Sequence, residues 1–141
     1  MKTEISATLR RILADTRAEI GQDKARESPK RLKHKLRDAV PLISFASALS
    51  AGNVLIGEIK ERSPSQGKMR AENVKEAAQA YKKSRVIKAI SVLTSSNNFG
   101  QNMTVGMMEA IKQKTAKPVL RKDFILEDYD PHPHIKARVA V

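Results

Sequence analysis

Glu58 and Lys60 stand two residues apart in the stretch LIGEIKERSPSQG, residues 55–67. The stretch begins with the apolar residues of a buried strand, and residues two apart in a strand point to the same face. The carboxylate and the ammonium group would therefore share one face with Ile56. Charged groups at the C-terminal end of a parallel strand are what a binding or catalytic site there requires.

A second stretch, PVLRKDF at residues 118–124, repeats this arrangement. Leu120, Lys122 and Phe124 would share one strand face, which is again apolar first and charged at its end. Parallel strands are normally apolar on both faces, so these charges need an explanation. Either they lie past the strands and are merely solvated, or they form a site. Because the pattern occurs twice, we favour a site.

The elements that would position these charges alternate between strand and helix. Strands are expected at 53–60, 86–94 and 117–125, with helices at 71–83 and 104–114 between them. Helical crossovers between consecutive strands predict parallel pairing and an α/β fold. Three helices are expected ahead of the first strand. The first covers residues 3–22, the second begins at the Ser28-Pro29 start signal, and the third covers residues 44–50.

The composition indicates one globular domain. The chain has 141 residues, of which 40% are hydrophobic and 30% charged. No stretch reaches the roughly 18 apolar residues of a membrane span, and charges interrupt the N-terminus, which argues against a secretory signal. Cysteine is absent, which excludes a disulfide framework and thiolate chemistry. These features predict a cytoplasmic protein that does not bind membranes.

The formal net charge of +12 predicts attraction to anions, and much of it lies in the basic run of residues 24–37. One interpretation is a nucleic-acid-binding module. The run lacks interleaved aromatic residues, and only 4% of the chain is aromatic, which argues against stacking on bases. The other interpretation is a solvated helix face beside a site for a phosphorylated substrate.

Three motifs in register carry a resemblance to a known family. EIKERSPSQG, AISVLTSSNNFG and PVLRKDF follow one another at βα spacing and resemble indole-3-glycerol phosphate synthase, a (β/α)8 TIM-barrel enzyme of tryptophan biosynthesis. The resemblance covers roughly residues 5–127. It implies an N-terminal helical extension over residues 1–52 and a partial barrel over 53–141, with strands one to three and a divergent tail.

The resemblance also implies a reaction and three catalytic residues. The family is a carboxy-lyase that closes an indole ring on 1-(2-carboxyphenylamino)-1-deoxyribulose 5-phosphate with loss of carbon dioxide and water. By the family pattern Lys122 is the general acid and Lys60 contacts and orients the anionic substrate. Glu58 positions the lysines or handles a proton.

Four further residues match the family's substrate-binding positions. Ser63 and Pro64 match the mobile loop after strand one, and Phe99 and Phe124 match the aromatic residues that hold the flat anthranilate ring. Apolar walls suit such a planar ligand. The resemblance implies no cofactor and no metal, and we interpret the two histidines of the PHPH stretch as incidental.

The resemblance predicts an incomplete barrel. A (β/α)8 barrel takes about 250 residues, or about 200 at the lean end, and three parallel strands cannot close one. In the family a second essential glutamate lies on strand four, and the phosphate is held after strands seven and eight. We therefore expect a truncated product, a fragment, or one part of an assembly with a complementing chain. The alternative to an enzyme is an inactive homologue.

Overall fold

The computed structural model describes residues 6–35, 43–50, 52–64, 66–69, 73–127, 129 and 138–139. The chain divides into two compact units. The first comprises the described residues within 1–40 and 124–134, and the second comprises those within 41–123 and 135–140. Among the described residues no helix has the length and apolar character needed to cross a bilayer.

The first unit begins with helices α1, Ala7–Arg26, and α2, Pro29–Lys35. Each helix starts at a serine, because a hydroxyl satisfies one backbone N–H that has no partner in the first turn. The Ser6 hydroxyl accepts from the N–H of Leu9 at 3.2 Å, and the Ser28 hydroxyl accepts from the N–H of Arg31 at 3.4 Å. The start signal predicted at Ser28-Pro29 is confirmed.

The C-terminal segment of the first unit contacts the end of α1. The Tyr129 hydroxyl donates to the Glu27 carbonyl at 2.9 Å. Lys24 pairs with Glu127 at 2.8 Å, and its ammonium group lies 5.5 Å from the centroid of the Tyr129 ring. These contacts join parts of the chain that are about a hundred residues apart in sequence.

The second unit contains a parallel sheet with crossover helices. Its elements are α3 Phe45–Leu49, β1 Leu55–Ile59, β2 Arg62–Ser63, β3 Gly67–Lys68, α4 Asn73–Lys83, β4 Ile87–Leu93, α5 Ser96–Phe99, α6 Val105–Gln113, β5 Val119–Lys122 and β6 Arg138–Val139. The strand order is β1-β4-β5-β6, and the pairs are parallel. The predicted α/β class with a parallel sheet is confirmed.

The register assigns every strand residue to one of two faces. Gly57 pairs with Ile90 on one face, and Glu58 pairs with Ser91 on the other. The Gly57 face packs against α4, where a Cβ atom at this position would lie 2.7 Å from Cγ of Tyr81. Only glycine permits this approach of helix and strand, and the crossover helix therefore covers the face opposite Glu58.

Helix α4 is also fixed at its C-terminal end. The ammonium group of Lys117, just before β5, donates to the carbonyls of Tyr81 and Ser84, the second at 2.7 Å. These carbonyls belong to the end of the helix, where they have no intrahelical donor and where positive charge is favourable. One side chain thus links the end of α4 to the start of the next strand.

Besides the two-residue strand β6, two small features were not predicted from sequence. Strands β2 and β3 form an antiparallel hairpin directly after β1, with Arg62 opposite Lys68 and Ser63 opposite Gly67. The single-turn helix α5 follows β4. Both lie at the C-terminal ends of parallel strands. They therefore surround the predicted position of the charged residues.

Candidate functional site

One carboxylate joins the charged residues of the two strands. Oε1 of Glu58 accepts from the ammonium group of Lys60 at 2.7 Å, and Oε2 accepts from that of Lys122 at the same distance. Because β1 and β5 are separated by β4 in the sheet, Lys122 reaches across a whole strand to make this contact. We call these three residues the charged cluster.

The charged cluster is half-buried and open to a ligand. The exposed side-chain fractions are 32% for Glu58, 32% for Lys60 and 39% for Lys122. Burial raises the pKa of the Glu58 carboxyl, but the hydrogen bonds and charges of the two lysines outweigh this, and its pKa lies below the usual value. Glu58 is therefore ionised near neutral pH. The cluster carries one net positive charge and suits an anionic substrate.

A second ionic cluster lies on the opposite face of the sheet, at the ends of β4 and β5. Arg121 pairs with Asp123 at 2.7 Å, and the Thr94 hydroxyl donates to Asp123 at 2.8 Å while accepting from Nε of Arg121 at 3.0 Å. The two charged side chains are only 10% and 13% exposed. We call this the closed cluster, since each of its charges meets an opposite charge and the hydroxyl bridges them. It holds the C-terminal end of β4 to that of β5 beside Lys122.

The β2–β3 hairpin is attached to the loop after β4. The Glu61 N–H donates to the Phe99 carbonyl at 3.1 Å, and the Asn102 amide donates to the Glu61 carboxylate at 2.6 Å. The Arg62 guanidinium donates to the Asn97 carbonyl. Because Glu61 follows Lys60 directly, these contacts fix the chain where it leaves the charged cluster.

Gly100 makes this attachment possible. Its φ angle of 122° lies in a region that residues with a side chain rarely adopt. A Cβ atom here would also collide with the side chain of Glu61. The glycine therefore gives the Glu61 carboxylate room to reach the loop after β4.

The structure brings three of the predicted site residues, Glu58, Lys60 and Lys122, into direct contact. Ser63 lies in β2 and Pro64 in the following turn, and both are half-buried. Phe99 ends α5 and is buried, with its carbonyl bonded to the hairpin. Phe124 is half-buried and belongs to the other unit, so its place in a common site stays a prediction.

The closed cluster is the part of this region that the sequence did not reveal. The alternation of β5 placed Arg121 and Asp123 opposite Lys122, but their bridging partner Thr94 directly follows another strand, β4. Its position depends on register, which a single sequence does not give. Among the described residues no three His, Asp or Glu side chains gather as a metal site would need. His132 and His134 lie outside those residues.

Part of the basic run is engaged within the first unit. Lys24 pairs with Glu127, and Arg31 lies 4.0 Å from the carboxylate of Glu27, four residues before it. Leu32 is buried, so one face of α2 is not available to a ligand. Residues 36 and 37 of the run lie outside the described part of the chain. The nucleic-acid interpretation stays a prediction that these contacts do not favour.

Comparison with known proteins identifies one family. A sequence model of the indole-3-glycerol phosphate synthase family matches residues 9–138. The indole-3-glycerol phosphate synthase of Caldanaerobacter subterraneus subsp. tengcongensis is 46% identical over 88 residues, which is 60% of this chain and 33% of that protein. The Endomicrobium trichonymphae protein of the same name is 38% identical over 125 residues, or 86% of this chain and 47% of that protein.

A third relative has the same name and is also matched over only part of its length. The indole-3-glycerol phosphate synthase of Lactiplantibacillus plantarum is 40% identical over 103 residues, which covers 72% of this chain and 38% of that protein. The chain thus spans between a third and a half of the length of these relatives. The residues that the family model matches, 9–138, include the three positions of the charged cluster.

Proposed function

The chain belongs to the indole-3-glycerol phosphate synthase family, and we propose that it forms the first part of that enzyme's active site. The proposed reaction is the ring closure of 1-(2-carboxyphenylamino)-1-deoxyribulose 5-phosphate, with loss of carbon dioxide and water, to indole-3-glycerol phosphate. The observation that carries the proposal is the bridging of Lys60 and Lys122 by Glu58 at the ends of two parallel strands.

Each member of the charged cluster has a proposed role. Lys122 donates a proton to the substrate carbonyl oxygen as the aromatic carbon attacks, because charge that develops on this oxygen must be neutralised. Lys60 holds the substrate carboxylate by charge, which orients the reacting carbon. Glu58 keeps both ammonium groups in place and lowers the mutual repulsion that they would otherwise feel.

The surrounding residues are proposed to shape the substrate pocket. Phe99 supplies a flat apolar surface for the anthranilate ring. Ser63 and Pro64, in and after β2, border the pocket on the side of the hairpin. The attachment of Glu61 to Asn102 supports this role, because it holds the hairpin at the end of β1.

We propose that the complete site requires strands beyond those described. The sheet β1-β4-β5-β6 has edges at β1 and β6, and Leu55 and Ile56 of β1 are largely exposed. An apolar edge strand is suited to pairing with further strands of a barrel. The remaining strands would come from a longer chain or from a complementing chain.

Complementation tests both parts of the proposal. The purified chain is mixed with a separately expressed strand-four-to-eight fragment of a relative, and indole formation is followed by fluorescence. We expect no turnover from the chain alone, turnover from the mixture, and its loss with Lys122→Ala. Lys88→Ala, a substitution of an exposed lysine on β4, serves as the matched control and should retain turnover.

Three outcomes would contradict the proposal. Turnover by the chain alone would show that the described strands suffice. A mixture that assembles by gel filtration but forms no indole would favour an inactive homologue. Equal activity of the Lys122→Ala and Lys88→Ala assemblies would remove the general-acid role.

A further inference from the structure

Ser91, in the middle of the central strand β4, has a buried hydroxyl with no hydrogen-bond partner. The residue is 4% exposed, and its Oγ is the buried side-chain polar atom without a partner among the residues that the structure describes. A hydroxyl that is buried without a partner destabilises the fold, because it loses its hydrogen bonds to water. Unpaired buried groups are rare in native proteins, so each one calls for a reason.

The strand register places Ser91 on the face of the charged cluster. Ser91 pairs with Glu58 of β1 on one side and with Leu120 of β5 on the other. Two positions further along β4, Leu93 pairs with Lys122. Ser91 is therefore flanked on this face by the strands that supply both the carboxylate and the reaching lysine.

Neighbouring Glu58 accepts from Lys60 and from Lys122 at 2.7 Å and makes no hydrogen bond with the Ser91 hydroxyl. Other buried hydroxyls near the end of β4 are paired. Thr94 bonds both Asp123 and Arg121, and Ser95 accepts from Asn98 at 2.9 Å. The unpaired hydroxyl thus coincides with the one face where a ligand is proposed to bind.

We propose that Ser91 is a further substrate-binding residue. Its hydroxyl hydrogen-bonds a polar oxygen of the anionic substrate held over the charged cluster. A hydroxyl can donate to a carboxylate or accept from a substrate hydroxyl, so it suits either part of a carboxylated sugar derivative. This inference rests on the proposed function, and it adds to that function a neutral group that binds without charge.

The first test needs no substrate and compares two buried serines in the free chain. Ser91→Ala removes an unpaired hydroxyl, so the urea midpoint of unfolding should stay unchanged or rise. Ser95→Ala leaves the Asn98 amide without its partner and should lower the midpoint. A fall with Ser91→Ala as large as that with Ser95→Ala would mean that the Ser91 hydroxyl is already paired, and would overturn the proposal.

The second test measures binding in the complemented assembly. The probe is the substrate with its carbonyl reduced to an alcohol, which cannot undergo ring closure. Ser91→Ala should raise its Kd about tenfold, the effect of losing one hydrogen bond to a ligand. Lys60→Ala should raise the Kd as well, through loss of charge.

The two tests separate this inference from the proposed function. If Ser91→Ala leaves the Kd unchanged while Lys60→Ala raises it, the Ser91 proposal is overturned and the proposed function stands. If the wild-type assembly does not bind the probe, both fail. A raised Kd together with an unchanged or raised urea midpoint supports a hydroxyl that serves the ligand rather than the fold.

Discussion

The charged cluster, from β1 and β5, and the closed cluster, from the ends of β4 and β5, lie on opposite faces of one sheet. Lys122 belongs to the first, whereas its sequence neighbours Arg121 and Asp123 belong to the second. Both clusters contain hydrogen-bonded pairs at 2.7 Å. They differ in exposure, since the ionic side chains are 10% and 13% exposed in the closed cluster but 32% to 39% exposed in the charged cluster.

The clusters also differ in charge balance. Arg121 and Asp123 cancel each other, and Thr94 uses its hydroxyl to bond both. Glu58 faces two lysines, so one positive charge is left over. A balanced, nearly buried group can stabilise the fold but has little left to offer a ligand. The unbalanced, open group is the one expected to bind an anion and to exchange a proton.

The largest expected effect is a loss of activity on substitution in the charged cluster, without a matching loss of stability. Lys122→Ala should lower turnover of the complemented assembly by about 10²–10⁴-fold, the usual contribution of a general acid. The unfolding free energy of the free chain should change little, because the lysine is partly exposed. Steady-state indole formation and urea unfolding of the same preparation check the two halves. A large loss of stability with Lys122→Ala would erase the distinction between the clusters.

The next largest effect is a loss of stability on substitution in the closed cluster. Arg121→Ala removes the opposite charge that pairs with the nearly buried Asp123 carboxylate, and breaking such pairs costs about 3–5 kcal/mol. We expect the lower end of this range for the free energy of unfolding, since the pair retains slight exposure. Chemical denaturation measures it.

A double variant keeps this second prediction testable if Arg121→Ala does not fold. Arg121→Met with Asp123→Leu removes both charges together, so it should be more stable than either single substitution. If the double variant is as unstable as the sum of the single ones, the two side chains do not act as a pair.

Much of the charged cluster could be predicted from the sequence because it depends on local alternation. Two-residue spacing puts Glu58 and Lys60 on one face, and the apolar residues before Lys122 mark the end of its strand. The α/β order was likewise readable from strand and helix patterns. These features need only the period of each segment, not the way in which segments pair.

The closed cluster and Ser91 could not be predicted because they depend on pairing between strands. Ser91 is a small polar residue within an apolar strand, and only the register shows that it lies beside Glu58. Thr94 was predicted as the last residue of its strand, but a single sequence does not show that its hydroxyl lies beside Asp123. The two-residue strands β2 and β3 are too short to leave a periodic pattern.

A smaller loss of stability is expected when the hydroxyl that bridges the closed cluster is removed. Thr94→Val keeps the side-chain shape but removes a donor to Asp123 and an acceptor for Nε of Arg121. The free energy of unfolding should fall by about 1–3 kcal/mol, because both ionic groups lose a partner. Ser84→Ala, which removes a half-buried hydroxyl that accepts from the Ile87 N–H outside both clusters, is the control and should cost less. Equal costs would show that the bridge adds nothing to the pair.

The smallest effect concerns the pH dependence of the charged cluster. The two lysines hold the pKa of the Glu58 carboxyl below its ordinary value of 4.5, although burial opposes them. A carboxyl whose pKa is lower in the folded state stabilises the protein fully above pH 4.5, and this stabilisation is lost as the pH falls through the folded value.

Glu58→Gln removes that contribution, so the urea midpoints of the wild type and the variant should differ most at pH 6–7. The difference should shrink steadily below pH 4.5, where the wild-type carboxyl becomes protonated and resembles the amide. It should be modest, because the carboxylate is partly solvated and its ion pairs are screened. Midpoints measured by circular dichroism from pH 3 to pH 7 provide the test. A difference that stays constant over this range would mean that the lysines do not stabilise the ionised carboxylate. The charged cluster would then contribute no more to the pH dependence of stability than a solvated surface ion pair.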